Sequence, residues 1–145
     1  MSQAQIQNPP IYTREELEEA LRAFGEFLEY LAKLLEKAEK SISEIYYILY
    51  YKTGIDTEIA SEIAETSHNL KIRVYDAIDE LIVDRLQLDT DIDKYENQYN
   101  VRFDYTEEKL LGVVMLSENE TVKPVVIWTD YKSIGYYEGE KNERA

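Results

Sequence analysis

The longest regular pattern in this sequence lies in residues 13–52, which read TREELEEALRAFGEFLEYLAKLLEKAEKSISEIYYILYYK. Thr13 followed by Glu16 forms a capping box, and the acidic residues after it favour the start of a helix. Apolar side chains then recur at alternating steps of four and three residues, which predicts one long helix with a packing stripe. The stripe consists of Leu17, Leu21, Phe24, Leu28, Leu31, Leu35, Ala38, Ile42, Ile45 and Leu49.

A second helix is expected close behind the first, from Thr57 to about Leu88. Gly54 suits the left-handed position that ends a helix, and the connection is short enough to make the two helices antiparallel neighbours. Ser41 with Glu44 is a second possible capping box, so the long helix either runs through Ser41 or breaks there. The expected apolar side of the second helix is Ile59, Ile63, Leu70, Val74, Ala77 and Leu81.

The last third has a different pattern, with short apolar runs at residues 113–116 and 125–128 separated by a polar segment. This pattern favours a β-hairpin, and a fourth helix from Thr106 is the alternative. We therefore predict a mainly α fold, an antiparallel helical bundle built on two long helices with a small C-terminal β-hairpin or fourth helix. The predicted organisation is a flexible N-terminal arm (residues 1–12), one domain (13–138) and a loose tail (139–145).

The composition indicates a protein that binds another macromolecule. Thirty acidic residues against 16 basic ones give a net charge of -14, which repels DNA, RNA and anionic membranes and attracts basic partners. The chain has no cysteine, which excludes thiolate metal sites and a cysteine nucleophile. No apolar run approaches the roughly 20 residues of a membrane-spanning helix.

The motifs that carry catalysis or hold metals are incomplete in this sequence. Glu65 and His68 have the spacing of di-iron bundles, but that site needs two such motifs and His68 is the only histidine. Residues 89–93 resemble the start of a calcium loop but lack its glycine and its final glutamate. We expect no catalytic residues, no cofactor and no metal, and hence no enzyme.

The acidic side chains are not spread evenly. Residues 53–100 carry a net charge of -8, more than the rest of the chain together. The acidic side of the second helix is either ordinary solvated surface or a row of carboxylates that resembles a phosphate backbone. The candidate partner-binding residues on the second helix are Glu58, Glu62, Glu65, Asp76, Glu80 and Asp84, and those on the first are Glu15, Glu19 and Glu26. A possible aromatic contact is formed by Tyr46, Tyr47, Tyr50 and Tyr51.

The cysteine-free, tyrosine-rich composition and the stretch SEIYYILYYKTG at residues 43–54 resemble proteins of viruses that infect archaea of hot, acidic habitats. Among these, the chain is similar to the RNA polymerase inhibitory proteins and related helical-bundle virion proteins of the Acidianus two-tailed virus. The resemblance implies a thermophilic viral protein that acts in the host cytoplasm and that the virion could carry. It would bind the basic DNA channel of host RNA polymerase, block template loading and restrain the clamp, without binding nucleic acid or membrane. The alternative is a virion structural protein that packs against other virion proteins through helical, tyrosine-rich surfaces.

Overall fold

The computed structural model describes residues 9–54, 57–106 and 108–141. In chain order its elements are β1 (Ile11–Thr13), α1 (Arg14–Tyr47), a π-helical turn (Ile48–Lys52), α2 (Thr57–Leu86), α3 (Ile92–Tyr99), β2 (Val101–Arg102), β3 (Lys109–Glu118), β4 (Thr121–Thr129), β5 (Ile134–Glu138) and β6 (Glu140–Lys141). The predicted helical bundle is therefore wrong. The fold combines a long helical hairpin with a four-stranded sheet and a two-stranded one.

Helix α1 begins at the capping box, where the Thr13 hydroxyl accepts from the Glu16 amide and the Glu16 carboxylate accepts from the Thr13 amide. It runs without a break through Ser41, whose hydroxyl donates to the Lys37 carbonyl at 3.1 Å. Its N-terminal half follows the predicted stripe, since Leu17, Leu21 and Leu28 are buried. Farther on, Ala38 and Ile45 of the same stripe are exposed.

Helix α2 packs mainly through a different stripe from the one predicted, although Val74 of the predicted stripe is partly buried against the core. Its buried residues are Ala60, Ile78, Ile82 and Leu86, whereas Ile59, Leu70 and Leu81 of the predicted stripe are 46%, 58% and 37% exposed. Two apolar stripes lie side by side on this helix, and the one that packs is rotated by about one residue, or 100°. The connection to α1 passes through Gly54 at φ +68°, and Ile55 and Asp56 lie outside the described residues.

The main sheet has the strand order β1-β3-β4-β5, with β1 parallel to β3 and the other pairs antiparallel. Asn119 and Glu120 both have positive φ, as a two-residue hairpin turn requires, and they join β3 to β4. The last third is therefore the hairpin and not a fourth helix, and β5 extends it by a third strand.

The sheet is covered on both faces. Val114, Leu116, Val125 and Ile127 pack against α1 and α2, while Val113, Met115 and Val126 pack against Tyr95 of α3 and against Phe103. Burial of both faces explains why residues 113–116 and 125–127 are continuously apolar instead of alternating.

Gly112 permits a close approach of the loop that links α2 to α3. A side chain at Gly112, where φ is +156°, would come within 2.7 Å of the Asp89 carbonyl and 2.9 Å of the Leu88 Cβ. The backbone of Asp89 forms a bridge with Val113 there, which joins this loop to β3.

Both predicted flexible ends contribute strands. Ile11 and Tyr12, expected in the N-terminal arm, belong to β1 and pair with Met115 and Leu116 of β3. Residues 1–8 of the predicted arm lie outside the described part. Glu140 and Lys141, expected in the tail, form β6, which pairs with Val101 and Arg102 of β2. The tail from residue 142 is likewise outside the described part.

The far part of the helical hairpin extends beyond the sheet. No residue of the α1 and π-turn segment 31–52 is buried, and Ala60 is the only buried residue of α2 before Ile78 among those whose burial is described, residues 58–77. We call this part, residues 31–54 and 57–74, the distal hairpin. Lys71 and Glu39 join its two helices through a 2.6 Å ion pair. No helix of the described residues is long and apolar enough to cross a membrane.

Candidate partner-binding surface

The acidic residues of α2 form one exposed face. Glu58, Glu62, Glu65, Asp76, Glu80 and Asp84 are all exposed. Steps of three, four and eleven residues hold them within about 100° of one another around the helix axis. This acidic face lies opposite the buried stripe of Ala60, Ile78 and Ile82. The structure therefore brings the six predicted carboxylates of α2 onto one surface that a partner can reach.

The acidic face has a gap in its middle. Between Glu65 and Asp76 the same side of the helix carries Asn69 and Arg73, both exposed. The face thus divides into a distal group of Glu58, Glu62 and Glu65 and a group nearer the sheet of Asp76, Glu80 and Asp84. At 1.5 Å per residue the two groups together span about 39 Å along the helix.

The carboxylates of α1 lie on another surface. Glu15, Glu19 and Glu26 are exposed on the side of α1 opposite its buried residues. Because the two helices pack through their buried stripes, the acidic residues of α1 point away from those of α2. Arg22 forms an ion pair with Glu26 at 3.6 Å, which reduces the charge of the α1 face. A single flat partner could not contact both acidic faces.

The four tyrosines lie at the end of the distal hairpin. Tyr46 and Tyr50 stack with ring centroids 5.8 Å apart, and Tyr47 packs against Tyr51 at 4.9 Å. Tyr47 and Tyr51 are 55% and 67% exposed, so two aromatic rings are presented at the tip. Such rings supply contact area with a polar end, which suits a protein interface.

A polar cluster at the base of the hairpin was not visible in the sequence. The Arg14 guanidinium binds the carboxylate of Glu118, donates to the Tyr136 hydroxyl at 2.6 Å and binds Glu138 at 2.8 Å. Lys123 adds a second cation 2.6 Å from Glu138. Hydrogen bonds from Arg14 and Lys123 lower the pKa of Glu138 to about 2. Glu118, Tyr136 and Glu138 each lie more than 100 residues from Arg14 in the sequence. No local motif could therefore reveal this cluster.

A groove runs between α1 and the edge strand β5, with a volume of about 570 Å³. Its walls include Gly25, Trp128 and Ile134, and carboxylates of α1 lie along its rim. Among the described residues no group of three or more histidine or carboxylate side chains is arranged to hold a metal ion. His68 is exposed on α2.

The acidic faces of α1 and α2 and the tyrosines at the end of the distal hairpin are thus the surfaces best suited to a macromolecular partner. Comparison of the chain with protein-family models, with curated proteins and with solved structures finds no match.

Proposed function

We propose that this protein inhibits transcription in an archaeal host by binding RNA polymerase in its basic DNA-binding channel. The observation that carries the proposal is the exposed acidic face of α2, with its six carboxylates on a helix that extends beyond the sheet. A channel that holds DNA must be basic, and a narrow acidic rod is complementary to it in charge and shape. The mixed fold differs from the bundle that the resemblance implied, so the proposal depends on this surface.

The helical hairpin of α1 and α2, which carries all six of these carboxylates on α2, suits insertion into a cleft. It is two helices wide, and two α-helices side by side measure about 20 Å across, close to the width of a DNA duplex. Within each group the carboxylates of α2 follow one another at a rise of about 4.5–6 Å along the helix, which gives a row of negative charge of the same sign as, and sparser than, the phosphates of a DNA strand at about 3.4 Å each. Binding in this way would exclude the template and favour one position of the mobile clamp.

The proposal predicts a specific dependence on the order of addition. Purified archaeal RNA polymerase, promoter DNA and the general initiation factors are mixed with the protein either before or after the DNA is loaded. Inhibition is expected when the protein is added before DNA and little inhibition when it is added afterwards, because the channel is then occupied. Failure of the protein to co-elute with polymerase at low salt would refute the proposal.

A second candidate function, a virion structural protein, is favoured by the apolar side chains that the hairpin exposes. Ile45, Ile48, Ile59 and Leu70 are each between 46% and 58% exposed, and such side chains suit packing against other proteins. Extended assemblies that grow with protein concentration, seen by light scattering and electron microscopy, would favour this function. A species of fixed mass that inhibits transcription would favour the first.

A further inference from the structure

The side of the helical hairpin that is turned away from the sheet is apolar and uncovered. We call it the outer face and define it by Phe27, Leu34 and Ile45 of α1 and Ile59, Leu70 and Leu81 of α2, which are between 37% and 58% exposed. Steps of seven and eleven residues separate those of α1, and steps of eleven separate those of α2. Both steps are close to whole numbers of helical turns, so each set forms one stripe.

Both stripes lie on the same side of the helix pair. Phe27 directly precedes the buried Leu28, and Leu81 directly precedes the buried Ile82. On each helix the exposed stripe is therefore rotated by about 100° from the buried stripe, and the direction of rotation relative to the chain is the same on both helices. In antiparallel helices the same sense of rotation places the stripes on one common side. The sheet lies on the other side, where Gly25 approaches Ile134 and Asp79 binds Tyr131 at 3.0 Å.

The stripe on α2 has the regularity of a helix-packing seam but lacks a partner within the described residues. Ile59, Leu70, Ala77 and Leu81 continue one apolar stripe along the helix, and all four are exposed. Regular spacing of this kind is typical of a helix that packs against another helix. A partner outside the chain would supply the packing surface for this stripe that the hairpin itself does not provide.

We propose that the outer face binds the same face of a second copy, so that two hairpins form an intermolecular four-helix bundle. This inference does not rest on the proposed function, because the acidic face of α2 remains largely outside the interface. The exposed fractions of the six side chains correspond to on the order of 500 Å² of surface per copy, a large part of the about 800 Å² that each partner buries in a standard interface. Small residues between them add to this area.

The arrangement of large and small residues favours a second copy as the occupant. The ion pair between Glu39 and Lys71 sets the relative height of the two helices. Along the helix axes, at 1.5 Å per residue from this pair, Leu34 lies at the height of Ala77 to within about half a helical turn. Ala38 lies at the height of Leu70 to within the same distance. A twofold axis parallel to the helices would place Leu34 over Ala77 of the other copy and Leu70 over its Ala38, so that large side chains fill the space above small ones.

Sedimentation equilibrium over a concentration series tests the inference, in 0.5 M salt to screen repulsion between copies of charge -14. We expect a mass of twice 17.1 kDa at the upper concentrations. The double variant Leu34→Asp, Leu70→Asp should weaken association on the order of 100-fold because it would bury charge in the interface. Ile72→Asp is the matched control, since Ile72 is 45% exposed on another side of α2 and should leave association unchanged.

Engineered cysteines test the geometry, since the chain has none of its own. Under mild oxidation a mixture of the Ala38→Cys and Leu70→Cys variants should form a crosslinked heterodimer, while each variant alone should remain largely uncrosslinked. Crosslinking of Ala38→Cys alone but not of the mixture would overturn the proposed arrangement. A monomeric mass at the highest concentrations, equal for the parent and the double aspartate variant, would overturn the dimer itself.

Discussion

The buried carboxylate of Asp89 accepts a hydrogen bond from the hydroxyl of Tyr95 at 2.7 Å, and this contact ties α3 to the sheet. The Asp89 carboxylate also accepts from the Asp91 amide at 3.1 Å and from Lys94 at 3.2 Å. Burial alone would raise the pKa of Asp89, but these hydrogen bonds outweigh it and the pKa is lowered. The segment that resembles the start of a calcium loop thus holds a fully buried charge.

Replacing Asp89 should destabilise the fold strongly. Asp89→Ala would leave the Tyr95 hydroxyl and the Lys94 ammonium without their buried acceptor, and we expect a loss of about 3 kcal/mol in the free energy of unfolding. Asp91→Ala is the control, because it removes only the exposed N-cap of α3, which costs about 1 kcal/mol. Urea denaturation of both variants measures the difference, and equal losses would show that the Asp89 contacts contribute little.

Two leucines of α1 should respond differently to the same substitution. Leu28 is fully buried against the sheet and Leu34 is 46% exposed on the outer face. Leu28→Asp would bury a charge in the core and should cost several kcal/mol, whereas Leu34→Asp should change stability by less than about 1 kcal/mol. Thermal unfolding of dilute samples measures both. A Leu28→Asp variant that melts with the parent would show that the core is misassigned.

Acid should weaken the contact between α1 and the sheet edge. The pKa of Glu138 is lowered from 4.5 to about 2 by Arg14 and Lys123. The stability that this shift contributes is therefore present above about pH 4.5 and is lost as the pH falls towards 2. Thermal unfolding measured from pH 6 to pH 2 should show a steeper decline for the parent than for Glu138→Gln. Identical pH profiles for the two proteins would show that this carboxylate does not contribute.

The protein should not bind nucleic acid by itself. Its net charge of -14 repels phosphate. Duplex DNA and structured RNA should show no mobility shift with micromolar protein at physiological salt. A micromolar complex with DNA under these conditions would contradict the proposed function, since the protein is proposed to occupy the place of DNA.

Local signals in the sequence were sufficient for the helical hairpin, and they favoured the β-hairpin while leaving a fourth helix as the alternative. The capping box at Thr13 places the start of α1, and the apolar runs around the segment SENET place β3 and β4. The sheet as a whole depends on contacts between distant residues. Ile11 pairs with Met115 across more than 100 residues, and no pattern near Ile11 indicates a strand.

The packing of α2 could not be predicted for a different physical reason. Its two apolar stripes are adjacent, and periodicity alone does not show which of them contacts the same chain. In the distal hairpin the buried residue of α2 is the small Ala60, while larger ones such as Ile59 and Leu70 are exposed. The exposure of the acidic residues follows directly from their charge. Their role in binding remains a prediction.

The central claim is that the carboxylates of α2 bind a basic channel, and neutralising three of them tests it. Asp76→Asn, Glu80→Gln and Asp84→Asn together raise the net charge from -14 to -11 with little change of shape. The control variant Asp93→Asn, Glu120→Gln, Glu140→Gln makes the same change at exposed positions of the C-terminal half. Arg73→Glu adds charge of the favoured sign within the gap of the acidic face and should bind at least as well as the parent. Thermal unfolding verifies that all variants fold.

The most direct measurement is the association rate of these proteins with immobilised host RNA polymerase over a salt series, with and without competing DNA. We expect the α2 triple variant to associate about tenfold more slowly than the parent at low salt, because long-range attraction acts on encounter. The control variant should lose much less, the difference should shrink as salt rises, and DNA should compete with the parent. Equal rates and affinities for the parent and the α2 triple variant at every salt concentration would contradict the account and move the contact elsewhere, with the tyrosine tip as the next surface to test.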